Sequence, residues 1–141
     1  APAPARSQPR RERRQLALRH PQRRHTVSTR CTIHFKRAPS ARAMAIIYRH
    51  SDGYPDGNNG VLSDLRRFFA DVERQTKDTR FNNPSYLAAK FVVWQAGENA
   101  IARPLDFLGV GVVATDPGDI EYRYIVTCAN DAWPIIVVEK V

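Results

Sequence analysis

No apolar run in this chain approaches the roughly eighteen residues needed to cross a bilayer as a helix. Cysteine is scarce: Cys31 and Cys128 are the only two, too few for a disulfide framework and in keeping with a reducing cytoplasm. There is no phosphate-cradling glycine loop, no Gly-x-Ser-x-Gly, no paired Cys-x-x-Cys and no His-Glu-x-x-His. P-loop, serine-hydrolase-elbow and zincin chemistries therefore lack their sequence signatures. No internal repeat is visible, and the length suits one domain.

Acidic residues are nearly missing from the first third. Residues 1–43 hold twelve Lys and Arg against the single acid Glu12, a net of +11, whereas the remainder is −3. The sequence pI near 10.1 is thus a property of the leading segment, and a nucleic-acid inference from the whole-chain charge is misplaced. Residues 1–43 are rich in Arg, Pro, Ala, Ser and Gln and poor in aromatics, so they bury too little apolar area to offset ordering entropy. They are expected to be a disordered basic tail, with 26–35 as a stretch of β character.

Three readings of that tail compete. It is translated upstream DNA ahead of a true start at Met44, which is favoured by its abrupt end there. It is an arm whose Arg clusters bind nucleic-acid phosphates. Or it is a targeting segment, although it lacks the apolar centre of a secretory signal. His20, His25, Cys31 and His34 are metal ligands by type, and Cys31-x-x-His34 has a plausible ligand spacing, but the other gaps match no zinc template, and no metal or cofactor is assigned.

Residues 44–141 are expected to form the single domain. Ala45–Tyr48 is short, apolar and β-prone. Two Asp-Gly pairs then flank Tyr54-Pro55 and turn the chain. The resulting polar corner, 48–57, carries Arg49, His50, Asp52, Tyr54 and Asp56. Strand ends that lead into polar turns are common binding sites. His50 with Asp52 has the makings of a general acid–base pair, and Arg49 of an anion clamp. The plainer reading makes Asp52 and Asp56 turn-capping residues, pairs Arg49 with one of those two on the surface, and leaves His50 a satisfied or solvated side chain.

Val61, Leu62, Leu65, Phe68, Phe69 and Val72 recur at helical spacing, predicting a helix over 60–77 capped by Asn58 or Asn59. Asn83-Pro84 opens a second helix, 84–96, stopped by Gly97. Strands are expected at 107–115, 120–128 and 134–140. The first two form an antiparallel hairpin about Asp116-Pro117-Gly118-Asp119, and Gly109 and Gly111 invite a close helix. The order β-α-α-β-β-β implies an α+β fold: two helices over a four-stranded, mostly antiparallel sheet.

The run Tyr48-Arg49-His50-Ser51-Asp52-Gly53-Tyr54-Pro55-Asp56-Gly57 resembles a pattern of small uncharacterised bacterial and bacteriophage proteins. Tyr-Leu-Ala-Ala-Lys-Phe at 86–91 and Phe-Leu-Gly-Val-Gly-Val-Val at 107–113 are similar to the same group. The resemblance covers 44–139, implies a domain beginning near Met44 and transfers no catalytic role. The expected function is an accessory, non-enzymatic module that binds a small ligand or a protein through Arg49, His50, Asp52 and Tyr54. Alternatives are a small hydrolase or nuclease with His50 as base and Asp52 as its orienter, and nucleic-acid binding through the tail.

Overall fold

The computed structural model describes residues 28–77, 81–98, 103, 105–106, 108–129 and 132–141. In chain order its elements are β1 (Cys31–Lys36), β2 (Ala45–Arg49), α1 (Val61–Gln75), α2 (Pro84–Glu98), β3 (Val110–Val113), β4 (Tyr122–Thr127) and β5 (Ile135–Lys140). The α+β class holds. The sheet, however, has five strands in the order β3-β2-β1-β4-β5, and it is mixed: β1 runs parallel to β4 and every other pair is antiparallel.

The expected four-stranded antiparallel sheet is corrected by β1. This strand lies inside the segment 1–43 that composition marked as disordered, yet it is the central strand. Its alternation explains why. Cys31, Ile33 and Phe35 are fully buried on one face, while Thr32, His34 and Lys36 take the other. The folded unit therefore takes in residues ahead of Met44. For residues 1–27, the expectations of disorder and of phosphate binding lie outside the described residues.

On the covered face, Ile33 stands opposite Ile47 of β2 and Tyr124 of β4, with both helices laid over them. Phe91 of α2 is fully buried, 6.3 Å from Phe35 and edge-on to Phe68 of α1 at 5.2 Å. Each such side chain contributes about 1.5–3 kcal/mol by leaving water. Val61, Leu65, Phe68, Phe69 and Val72 are buried as the helical spacing predicts. The cap differs: Gly60 precedes α1 with no side-chain bond. Asn83 does open α2, its Oδ1 accepting from the Ser85 amide at 3.1 Å, and the helix continues through Gly97.

The expected β3–β4 hairpin does not form, because β2 and β1 stand between those strands. Residues 114–121 instead cross the face opposite the helices. Asp116 anchors the crossing. Its carboxylate accepts from Thr32 Oγ1 at 2.6 Å and lies 2.8 Å from His34 Nε2. Arg123 Nε and Nη2 each donate to it at 2.6 Å. Gly111 faces this side opposite Tyr48, and a Cβ there would meet nothing within 4 Å. No helix presses close at that glycine.

Partial burial raises the Asp116 pKa, but the hydrogen bonds from Thr32, His34 and Arg123 outweigh it and hold the carboxyl below its ordinary value. A depressed folded-state pKa gives stability that is present above the unfolded value, about 3.9, and lost as pH falls through the folded one. Asp116→Asn is therefore expected to lower the urea midpoint at pH 7. It should also flatten the loss of stability between about pH 5 and pH 2 relative to wild type. Parallel pH profiles for the two proteins would contradict this role.

Candidate functional site

Because β2 alternates, Arg49 points to the helix side with Ile47, opposite Cys31, and is only 6% exposed. A buried guanidinium needs partners for its donors, and the chain supplies them from three elements. Nε donates to the Ser51 carbonyl at 3.0 Å, Nη2 to the Asn59 carbonyl at 2.9 Å, and Nη1 to Asp64 Oδ2 at 2.6 Å and Gln95 Oε1 at 3.4 Å. One side chain thus ties the end of β2 and its turn to α1 and α2. The carbonyl of Asn59, not its side chain, is what the structure uses.

Asp64 is 5% exposed and also accepts from Arg67 Nη2 at 2.5 Å. Arg67 Nη1 donates to Glu98 Oε1 at 2.6 Å. The Arg67 guanidinium lies 5.5 Å from the Trp94 ring centroid, within cation–π range, and Trp94 Nε1 donates to Asp71 at 2.8 Å. A chain of alternating charge, Arg49–Asp64–Arg67–Glu98, runs from the interior to the surface. It borders a polar cleft of about 340 Å3 that also takes in Ser51, Asp52, Asn59, Gln95 and Gly109.

The structure brings two of the four sequence candidates, Arg49 and Asp52, to this cleft. Arg49 is there as a strut whose donors are occupied, not as an open anion clamp. Asp52 adopts φ +54° and accepts from the Tyr54 hydroxyl at 3.2 Å. Burial, and then the adjacent Asp52 carboxylate, push the Tyr54 phenol above its ordinary pKa. Tyr54 and His50 lie outside the cleft lining. His50 is exposed, and among the described residues no hydrogen bond joins it to Asp52.

Gly53 locks the corner to the body of the fold. Its amide donates to the Thr29 carbonyl at 2.9 Å, and its carbonyl accepts from the buried Tyr124 hydroxyl at 2.7 Å. A Cβ at this position would come within 2.7 Å of the Thr29 oxygen. Gly53→Ala is expected to cost about 1–3 kcal/mol through overpacking, read as a lower denaturant midpoint. An unchanged midpoint would mean that the corner is not clamped there.

Sequence reasoning missed Asp64, Arg67, Gln95 and Glu98. Asp64 carried a signal. It stands three residues after Val61 and four before Phe68, inside the apolar stripe and not opposite it. An acid at such a position needs a buried partner, and Arg49 is the cation that turn geometry delivers. The His–Asp contact of this fold is also elsewhere, between His34 and Asp116 on the opposite face.

Cys31-x-x-His34 does not form a ligand pair, since the two residues point to opposite faces of β1; His20 and His25 lie outside the described residues. Among the described residues no group of three or more His, Cys, Asp or Glu is arranged for a metal ion. Burial pushes the Cys31 thiol up to about 12, only partly opposed by Arg49. This disfavours the thiolate needed for nucleophilic or ligand roles. Comparison with protein-family models, curated proteins and solved structures finds no match to this chain.

Proposed function

We propose that this protein is a non-enzymatic binding module, bacterial or phage-encoded, whose polar cleft beside the 48–57 corner takes a small polar ligand. One observation carries the reading. Arg67 is half exposed at the cleft, with a side-chain exposure of 54%, yet its guanidinium is held by Asp64, Glu98 and the Trp94 ring. A charged group fixed before the ligand arrives loses little entropy on binding. The cleft volume lies within the range of small-molecule sites. Asp52 and Glu98 add acceptors, which favours a ligand bearing both a donor and an anionic or acceptor group.

The hydrolase reading is weaker because it needs His50 against Asp52, and Tyr54 takes that carboxylate. Nucleic-acid binding by the tail is a separate proposal, and a steep fall of affinity with salt would be its mark. A cytoplasmic setting fits two cysteines that are unpaired. No helix among the described residues is long and apolar enough to cross a membrane.

The test is a thermal-shift screen of amino acids, small amines, polyols, carboxylates and nucleotides, repeated on Arg67→Ala and Asp52→Asn. At least one compound should raise the wild-type Tm by about 2 °C or more, in a concentration-dependent way, and the shift should vanish in the variants. The reading fails if no compound shifts the wild type, or if the shift survives both substitutions.

A further inference from the structure

The polar cleft beside the corner has no apolar wall. Every side chain that lines it is charged, a hydroxyl or an amide, and Gly109 brings none. A ligand there gains little by burying apolar surface and must be held by hydrogen bonds and charge. An aromatic base has nothing to stack on, because Trp94 lines the groove between α1 and α2 and not this cleft.

The bonds already made leave valences of both signs. A guanidinium has five donors. Arg67 gives one to Glu98 and one to Asp64, which leaves three with no further acceptor among the described residues. Asp52 uses Oδ1 for the Tyr54 hydroxyl, and Glu98 uses Oε1 for Arg67. Asp52 Oδ2 and Glu98 Oε2 therefore meet no donor among the described residues. Asp64 differs, since both of its oxygens are taken, by Arg49 and Arg67.

Ligand classes sort against that set. An anion alone would meet three carboxylates, Asp52, Asp64 and Glu98. A cation alone would leave the Arg67 donors unanswered beside it. A polyol reaches both sets, but each of its bonds would have one charged member and not two. A quaternary ammonium has no N–H to give and calls for an aromatic cage. A molecule that carries both an ammonium and a carboxylate answers both signs at once.

We infer that the polar cleft is a site for an amino acid with a polar side chain, recognised as a zwitterion: its carboxylate on Arg67, its ammonium on Asp52 and Glu98. The inference rests on the cleft being the ligand site, as proposed above, and adds the class of ligand.

The experiment is isothermal titration of the full chain with serine, asparagine and glutamine, beside leucine, glycine betaine, glycerol, ethylamine and acetate. Whichever amino acid binds is compared with its N-acetyl derivative, which has no ammonium, and its methyl ester, which has no carboxylate. At least one polar amino acid should bind saturably. Each derivative, leucine and betaine should bind at least about tenfold more weakly. Arg67→Gln should weaken the amino acid at least about tenfold without weakening the methyl ester, and Asp52→Asn should weaken both. Far-UV circular dichroism checks the fold of each variant, and the comparison of derivatives on the wild type needs no variant.

Binding of glycerol, ethylamine or acetate that depends on Arg67 and Asp52, with no amino acid bound, would overturn the zwitterion assignment and leave the cleft as the ligand site. So would equal binding of the acetylated or esterified form. No binding by any compound, or amino-acid binding that survives both substitutions, would overturn the assignment and the cleft reading together.

Discussion

A chain that begins at Met44 is expected to show no cooperative unfolding transition. It retains every residue from which composition alone would build the domain, but it loses β1. That strand pairs with β2 on one side and β4 on the other, so its removal leaves two separate two-stranded pieces, β3-β2 and β4-β5. Pieces of that size are marginal in water. It also strips Cys31, Ile33 and Phe35 from the centre of the core. At about 1.5–3 kcal/mol for a fully buried Ile or Phe, Ile33 and Phe35 alone approach the 5–15 kcal/mol that holds an ordinary domain together. Urea titration followed by circular dichroism and tryptophan fluorescence should give sloping lines without a midpoint. A Met44 chain with a sharp transition near that of the full chain would show that the remaining strands can close without β1.

Breaking the Arg49–Asp64 pair is the second large effect. Both side chains are 7% exposed and lie 2.6 Å apart. Asp64→Ala leaves a buried guanidinium with one neutral side-chain acceptor and two carbonyls. Arg49→Ala leaves a buried carboxylate whose only other cation among the described residues, Arg67, is at the surface. Either change is expected to cost about 3–5 kcal/mol, because an uncompensated charge stays in the interior. Arg49→Lys should behave almost as badly. A single ammonium cannot reach Ser51, Asn59 and Asp64 at once, as the forked guanidinium does. The combination Arg49→Met with Asp64→Leu should cost less than Arg49→Ala or Asp64→Ala alone, since it removes both charges and keeps the volume. Denaturant midpoints for the set decide the matter. Additive losses in the double variant would mean that the pair is not coupled and that Arg49 acts through its carbonyl contacts alone.

The two helices were legible in the residues themselves. Val61, Leu65, Phe68, Phe69 and Val72 mark the inward face of α1 by spacing, and Asn83-Pro84 marks the start of α2 by cap chemistry. β2, β4 and β5 were legible as alternating or β-branched runs. The candidate site was legible only in half. The Asp-Gly turns located the corner, and Arg49 and Asp52 do reach the cleft, but the groups that meet them come from α1 and α2, well beyond any local window.

Local periodicity and turn chemistry thus sufficed to state which segments are helical or extended, because those preferences act over a few neighbouring residues. Strand order, the recruitment of β1 and the direction of the crossing at Asp116 were decided by the assembled fold. Thr32 and His34 meet a carboxylate more than eighty positions away, and Arg49 meets Gln95 forty-six away. A basic, Pro-rich composition averages over such a segment and hides a six-residue strand within it. Only the two neighbours on either side of β1, satisfying its backbone and enclosing Ile33 and Phe35, make that strand worth its ordering entropy.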